Sequence, residues 1–345
     1  MAEILFDVLG TQLGVITLNR PEALNALTQS MCSAMDEQLI RWEQDPAIKT
    51  VVVRAQDKGF CAGGDIRQIY QNGLRGDPHV LEFFKDEYQL NRRIYHYSKP
   101  YIALLDGLTF GGGVGISVHG SYRIATEKTL FAMPETSIGF FPDVGGSYFL
   151  PRLPGRLGFY LGLTGARLKA GDLISTGIAT HYVDRNQLDD LVKALAQFEF
   201  NDDLKSSIEH CLALYAGAPE PGTLNTVRTD IDHCFNHNSI EAIISALQEK
   251  NSDWAQTTLN ALQQSSPTSL NVTLRLLEKG ADLDFDDCMA MEYIVTQHFL
   301  KHPDFYEGVR AKLIDKDQNP RWKSSLSEVK TEDVDVFFSA GADIL

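Results

Sequence analysis

No apolar run in this chain reaches the roughly 18 to 20 residues that a membrane-spanning helix needs, so no helical bilayer crossing is expected. Positive charge is also scarce: 31 Lys and Arg stand against 46 Asp and Glu, for a formal net charge of −15. That balance argues against broad binding to nucleic acid and provides no polybasic patch for a membrane surface. Any phosphate-bearing ligand must be met by a local positive pocket or by helix N-termini. Cysteine is sparse as well. The five present (Cys32, Cys61, Cys211, Cys234, Cys288) are odd in number, widely spaced and without a CxxC pair, as expected of free thiols in a reducing compartment. The nine histidines form no HExxH or comparable ligand spacing, so no metal is expected. A GxxxxGKS/T phosphate loop and the context of a dinucleotide fingerprint are missing. Without a GxSxG elbow, Ser117 with His119 is a weak basis for a triad, and Cys61 reads more simply as a small turn residue. The opening Met1-Ala2-Glu3-Ile4-Leu5-Phe6-Asp7 has neither a basic n-region nor an Arg/Ser-rich presequence. The expected location is the cytoplasm, or the mitochondrial matrix if a presequence has been removed.

What is present fits an ordinary globular enzyme-sized chain: 345 residues, 43% of them hydrophobic and 22% charged, enough for a substantial core. Val15-Ile16-Thr17-Leu18 and Thr50-Val51-Val52-Val53 are β-branched runs that read as strands. Between them Thr28 is placed to cap a helix whose Met31, Met35, Leu39 and Trp42 recur at helical spacing. Tyr101-Ile102-Ala103-Leu104-Leu105 and Tyr122-Arg123-Ile124-Ala125-Thr126 are further strands. After about residue 200 the pattern turns helical. Asn238 with Glu241 predicts one helix start, and Ser266-Pro267 predicts another that runs through Leu270, Leu274 and Leu277 to Gly280. The expected organisation is a mixed α/β core over residues 1–200 and a mainly helical C-terminal region over 201–345.

Two glycine-rich turns follow strands. Phe60-Cys61-Ala62-Gly63-Gly64-Asp65-Ile66 comes after Val51–Val53, and Phe110-Gly111-Gly112-Gly113-Val114-Gly115 comes after Ile102–Leu105. Each exposes backbone N–H groups, and the second opens a helix whose dipole favours negative charge. One donor from each turn, converging on a single oxygen, is what an enolate or a tetrahedral oxyanion needs. Taken alone, either turn reads more simply as a packing device.

Two acids lie in an apolar, glycine-punctuated stretch: Glu135 in Met133-Pro134-Glu135-Thr136-Ser137-Ile138-Gly139, and Asp143 in Pro142-Asp143-Val144-Gly145-Gly146. Beside Phe140 and Phe141 a carboxylate loses hydration, and its pKa rises toward the range useful for base catalysis. An isolated Pro-Glu turn is more simply a helix cap or a solvated group.

The paired turns, together with Ile16-Thr17-Leu18-Asn19-Arg20-Pro21 and Asn25-Ala26-Leu27, resemble the crotonase (enoyl-CoA hydratase/isomerase) superfamily. The resemblance implies a spiral core of repeated ββα units, hence an α/β fold carrying a mainly helical C-terminal region. It implies coenzyme A as acyl carrier and as part of the substrate, with no other cofactor. It implies that the Gly64 and Gly112 N–H groups form the oxyanion hole and that Glu135 is catalytic. Hydratases of the family carry a second glutamate where this sequence has Gly115, a departure that argues against simple hydration. Asp143 matches an acid of the branch that hydrolyses hydroxyacyl-CoA thioesters and also one of the dienoyl-CoA isomerases, which carry a further acid near Gly115.

The string Met133 to Gly146 and Glu82-Phe83-Phe84-Lys85-Asp86-Glu87-Tyr88 resemble the hydrolase branch, in which the residue matching Glu87 lines the substrate pocket. On its own, Glu87 reads as part of a solvated helix face. Ser266-Pro267-Thr268-Ser269-Leu270, Met291-Glu292-Tyr293, Glu307 to Asp317 and Pro320-Arg321-Trp322 extend the resemblance to about residues 4–323, and none of these is assigned to catalysis. The expected activity is acyl-CoA thioester hydrolysis on a four-carbon 3-hydroxyacyl chain, as in valine breakdown, with Glu87, Gly112, Glu135 and Asp143 touching substrate. Another crotonase reaction, hydration or isomerisation, and a non-enzymatic binding protein that reuses the fold are the alternatives. Association into a homo-oligomer stays open.

Overall fold

Leu13–Leu18 is buried at every position, so this strand needs cover on both faces and belongs inside a largely parallel sheet. The computed structural model, which describes residues 2–57, 59–77, 79–200, 203–339, 341 and 345, provides that sheet. Strands β1 (Ile4–Leu9), β2 (Leu13–Leu18), β3 (Thr50–Ala55), β4 (Gly59–Cys61), β5 (Tyr101–Leu105), β6 (Leu108–Phe110), β7 (Tyr122–Ala125), β8 (Leu130–Ala132) and β9 (His181–Tyr182) form two sheets. The larger has the order β1-β2-β3-β5-β7-β9, and the smaller is β4-β6-β8. Only the hairpin β1–β2 is antiparallel within the larger sheet. Each expected strand lies where the β-branched runs place it, and beyond Tyr182 the described elements are all helical.

Helix α1 (Gln29–Gln44) starts at Thr28, whose side chain accepts the Met31 N–H, and it buries Met31, Met35, Leu39 and Trp42. The Pro267–Gly280 helix starts at Ser266, with Leu270, Leu274 and Leu277 inside. One start is displaced from expectation: Ser239, not Asn238, caps the Ile240–Lys250 helix, its hydroxyl accepting the Ala242 N–H at 3.2 Å. Both residue types suit the role. The extended backbone that an N-cap requires falls at Ser239.

The chain forms two compact units that interleave along the sequence. The first (Met1–Gly64, Gln89–Phe131, Leu168–Thr223) holds the larger sheet. Its core joins Leu13, Val15, Val52, Ile102, Leu104 and Ile124 to the Leu188–Gln197 and Leu204–Ala213 helices. The second (Asp65–Tyr88, Ala132–Arg167, Leu224–Leu345) is mainly helical. Among the described residues no helix is long and apolar enough to cross a membrane.

Candidate active site

In the first unit, β4 and β6 are parallel neighbours, so the glycine turns that follow them leave the sheet side by side. Gly63 has φ 108°, and a Cβ there would stand 3.4 Å from the Phe110 carbonyl oxygen and 3.6 Å from the Gly112 nitrogen. Gly113 is tighter still: a Cβ would meet the Cys61 carbonyl oxygen at 2.5 Å. Gly112 heads the Gly112–Val118 helix, and a helix's first amides have no partner inside it. Gly111, just before, has φ 46° and ψ −119°, a conformation open to glycine.

The N-terminal signature braces the first turn. Buried Asn25 donates from Nδ2 to the Gln56 and Gly59 carbonyls at 2.9 and 2.8 Å, and its Oδ1 accepts the Arg20 N–H at 2.8 Å. Leu27 N–H donates to the Gly63 carbonyl at 2.8 Å, and Ala62 N–H donates to Leu24 at 3.0 Å. The backbone of residues 62–63 is thereby tied down on its outer side.

The acids belong to the second unit. Glu135 opens the 3₁₀ turn Glu135–Ile138 and is 7% exposed, and its Oε2 has no hydrogen-bond partner among the described residues. Asp143, 5% exposed, accepts the Tyr88 hydroxyl proton at Oδ2 over 2.8 Å. Glu87 and Tyr88 lie on the Val80–Tyr95 helix. Glu87 is 2% exposed, not on a solvated face, and its Oε1 also lacks a partner among the described residues. Aromatic rings cluster in the same unit: Phe140 packs on Phe84 and Phe299, both at 5.5 Å between centroids, and on Phe141 at 4.7 Å.

That environment sets the proton affinities. Burial, then the charges of Asp143 and Glu87, push the Glu135 carboxyl well above the usual range, although a hydrogen bond to its own backbone amide opposes the rise. Burial and Asp143 push Glu87 up likewise. Burial raises Asp143 to about 7 against the Tyr88 hydrogen bond, which favours its charged form. Glu292, fully buried, is raised by burial to about 8 despite hydrogen bonds from Ser147 and Gly145.

A carboxyl whose folded pKa exceeds its unfolded value stabilises the fold most when protonated. That contribution is complete below pH ~4 and is lost as pH rises through the folded pKa values. The midpoint of thermal unfolding is therefore expected to fall as pH rises above ~4 and to level off once pH passes the folded values, about 7 for Asp143 and about 8 for Glu292. A calorimetric pH series checks the sign.

Gly64 and Gly112 thus lie on neighbouring turns of one unit, and Glu87, Glu135 and Asp143 gather in the other. Sequence reasoning did not assign Tyr88, Glu292 or Thr296. A signal for Glu292 exists: it sits on the buried stripe Cys288, Met289, Tyr293, Val295, Thr296 and Phe299 of the Phe285–Phe299 helix, where an acid is out of place.

Buried, mutually repelling carboxyls and a pair of abutting glycine turns are the equipment of acyl-carbonyl chemistry by acid–base and oxyanion stabilisation. The chain belongs to the enoyl-CoA hydratase/isomerase family, whose description matches residues 13–338. Its mixed α/β architecture is the crotonase fold. Within that family it is 47% identical over 350 residues to a Danio rerio protein named 3-hydroxyisobutyryl-CoA hydrolase, mitochondrial, covering 98% of this chain and 90% of the relative. The Homo sapiens protein of the same name is 46% identical, with 98% and 89% covered. A crystal structure described as a carnitinyl-CoA dehydratase from Mycobacterium thermoresistibile superposes with a TM-score of 0.92 at 36% identity, covering 100% of this chain and 98% of the other.

Proposed function

We propose that this chain hydrolyses 3-hydroxyisobutyryl-CoA to 3-hydroxyisobutyrate and CoA, a step of valine breakdown. The observation that carries the reading is 47% identity across 98% of the chain to a protein named for that hydrolysis. In the proposed mechanism the Gly64 and Gly112 N–H groups hold the thioester oxygen as it gains negative charge. Glu135 either takes a proton from the attacking water or attacks the carbonyl carbon to give a transient mixed anhydride, which water then hydrolyses to release the acid and restore Glu135. The C–S bond breaks in both routes. The departing thiolate takes a proton, for which Asp143 is the proposed donor, and Asp143 also holds the substrate hydroxyl or the water. Glu87 orients the hydroxyl end of the acyl chain. The buried Oε2 of Glu135, without a partner among the described residues, supports its role, because a buried acceptor left without a bond is available to a substrate or water proton. The proposed location is the cytoplasm or the mitochondrial matrix; the vertebrate relatives are named as mitochondrial.

A dehydratase or hydratase reading draws on the 36% identical solved structure named for dehydration. A panel of acyl-CoA esters with free-thiol detection separates the two. Thiol release fastest with 3-hydroxyisobutyryl-CoA, then with 3-hydroxypropionyl-CoA, and none from crotonyl-CoA is the expected result. Conversion of crotonyl-CoA without thiol release would overturn it in favour of hydration, and binding without turnover would leave a binding protein.

A further inference from the structure

Glu292 is fully buried, and among the described residues it accepts three hydrogen bonds, all from Gly145 and Ser147, where the loop after Asp143 enters the short Gly146–Phe149 helix. Its Oε2 accepts the Gly145 N–H at 2.8 Å, and its Oε1 accepts the Ser147 N–H at 2.9 Å and the Ser147 hydroxyl at 2.5 Å. The loop begins at Asp143 and is left-handed at two successive residues, Val144 (φ 51°) and Gly145 (φ 86°). For β-branched Val144 that is a true outlier, and such a backbone persists only where its surroundings over-determine it. The backbone at Ser147 is also closely packed against Gly280, where a Cβ would stand 2.1 Å from the Ser147 carbonyl oxygen.

One turn further along the same helix, Thr296 Oγ1 lies 2.8 Å from the Tyr88 hydroxyl, which donates to Asp143 Oδ2 at 2.8 Å. With the Tyr88 proton committed to Asp143, the Thr296 hydroxyl is the donor to Tyr88. Residues four apart on a helix share a face. A single face of the Phe285–Phe299 helix therefore holds the backbone after Asp143 through Glu292 and the carboxylate of Asp143 through Thr296 and Tyr88.

We infer that Glu292 and Thr296 are positioning residues for Asp143, fixing the reach of its carboxylate toward the substrate hydroxyl or the attacking water. The inference rests on the proposed part of Asp143 in thioester hydrolysis. Gln at position 292 keeps the shape but sets an NH2 group against a backbone N–H donor, so it loosens the loop without opening a cavity. Val at 296 removes only the hydroxyl.

The test is a pair of double-mutant cycles on the full chain: Glu292→Gln and Thr296→Val, each alone and combined with Asp143→Asn, with thermal unfolding recorded for every variant. Glu292→Gln is expected to lower kcat about 10- to 100-fold and to change KM less than about 3-fold, and Thr296→Val to lower kcat about 3- to 10-fold. In the Asp143→Asn background each further loss should shrink below about 2-fold, because residues acting through one group are not additive. Equal losses in both backgrounds would show general support of the fold and overturn the inference. If Glu292→Gln fails to fold, the Thr296→Val cycle decides by the same criterion. Wild-type turnover by Asp143→Asn would remove Asp143 from the reaction and this inference with it, an outcome separate from additive losses.

Discussion

Replacing Glu135 by Gln is expected to lower kcat for thioester hydrolysis by about 10²- to 10⁴-fold, the range that a positioned general base contributes, while KM changes little. The amide nearly matches the carboxyl in shape, so the 3₁₀ turn and its closing residue Gly139 (φ 72°) are unaffected. What is lost is the ability to accept a proton or to attack a carbonyl, which both proposed routes require. The substitution also removes an ionisable group that burial and two neighbouring acids hold above its ordinary pKa. At pH 8 the variant should therefore unfold at the same temperature as the parent or higher. Steady-state kinetics beside a thermal melt read both effects, and a folded Gln variant with parental turnover would remove Glu135 from the centre of the mechanism.

The second large effect is expected from Gly113→Ala, a change of one methyl group that alters no titratable residue. The added Cβ would meet the Cys61 carbonyl oxygen at 2.5 Å and the Cys61 Cβ at 2.8 Å. Neither is the free end of a flexible side chain. Cys61 is the last residue of β4, and the turn after it is braced by Leu27. Relief comes by moving one glycine turn away from the other. Overpacking of this kind destabilises by about 1–3 kcal/mol. Because the proposed oxygen-binding amides ride on these turns, kcat should fall by about 10²-fold, comparable to losing one oxyanion donor. Urea unfolding and thiol-release kinetics test the two consequences separately, and a stable variant with unchanged kcat would contradict the proposed use of the turns.

Local features of this fold are legible in the sequence because local rules decide them. Tyr101–Leu105 is a strand with the bounds its apolar run sets, and Thr28 and Ser266 cap the helices they precede. The displaced cap at Ser239 shows the limit of such rules: two suitable residues adjoin, and the backbone that separates them depends on how the helix packs. Long-range pairings leave no local trace. Tyr88 meets Thr296 across 208 positions, and Glu292 meets Ser147 across 145. The sequence marks Glu135 and Asp143 as acids in apolar surroundings, and the structure buries both. Glu87 is different, since helix periodicity alone leaves it on a solvated face. Its burial follows from where the Val80–Tyr95 helix packs, and only the family resemblance draws notice to it.

The central claim is that two backbone amides and one carboxylate act on the same thioester. A crystal structure of the Glu135→Gln variant with 3-hydroxyisobutyryl-CoA bound tests it most directly. The account predicts the thioester oxygen about 2.7–3.1 Å from the Gly64 and Gly112 nitrogens, with residue 135 facing the carbonyl carbon at about 3–3.5 Å. A bound thioester whose oxygen meets neither amide, or whose carbonyl carbon lies out of reach of residue 135, would contradict it.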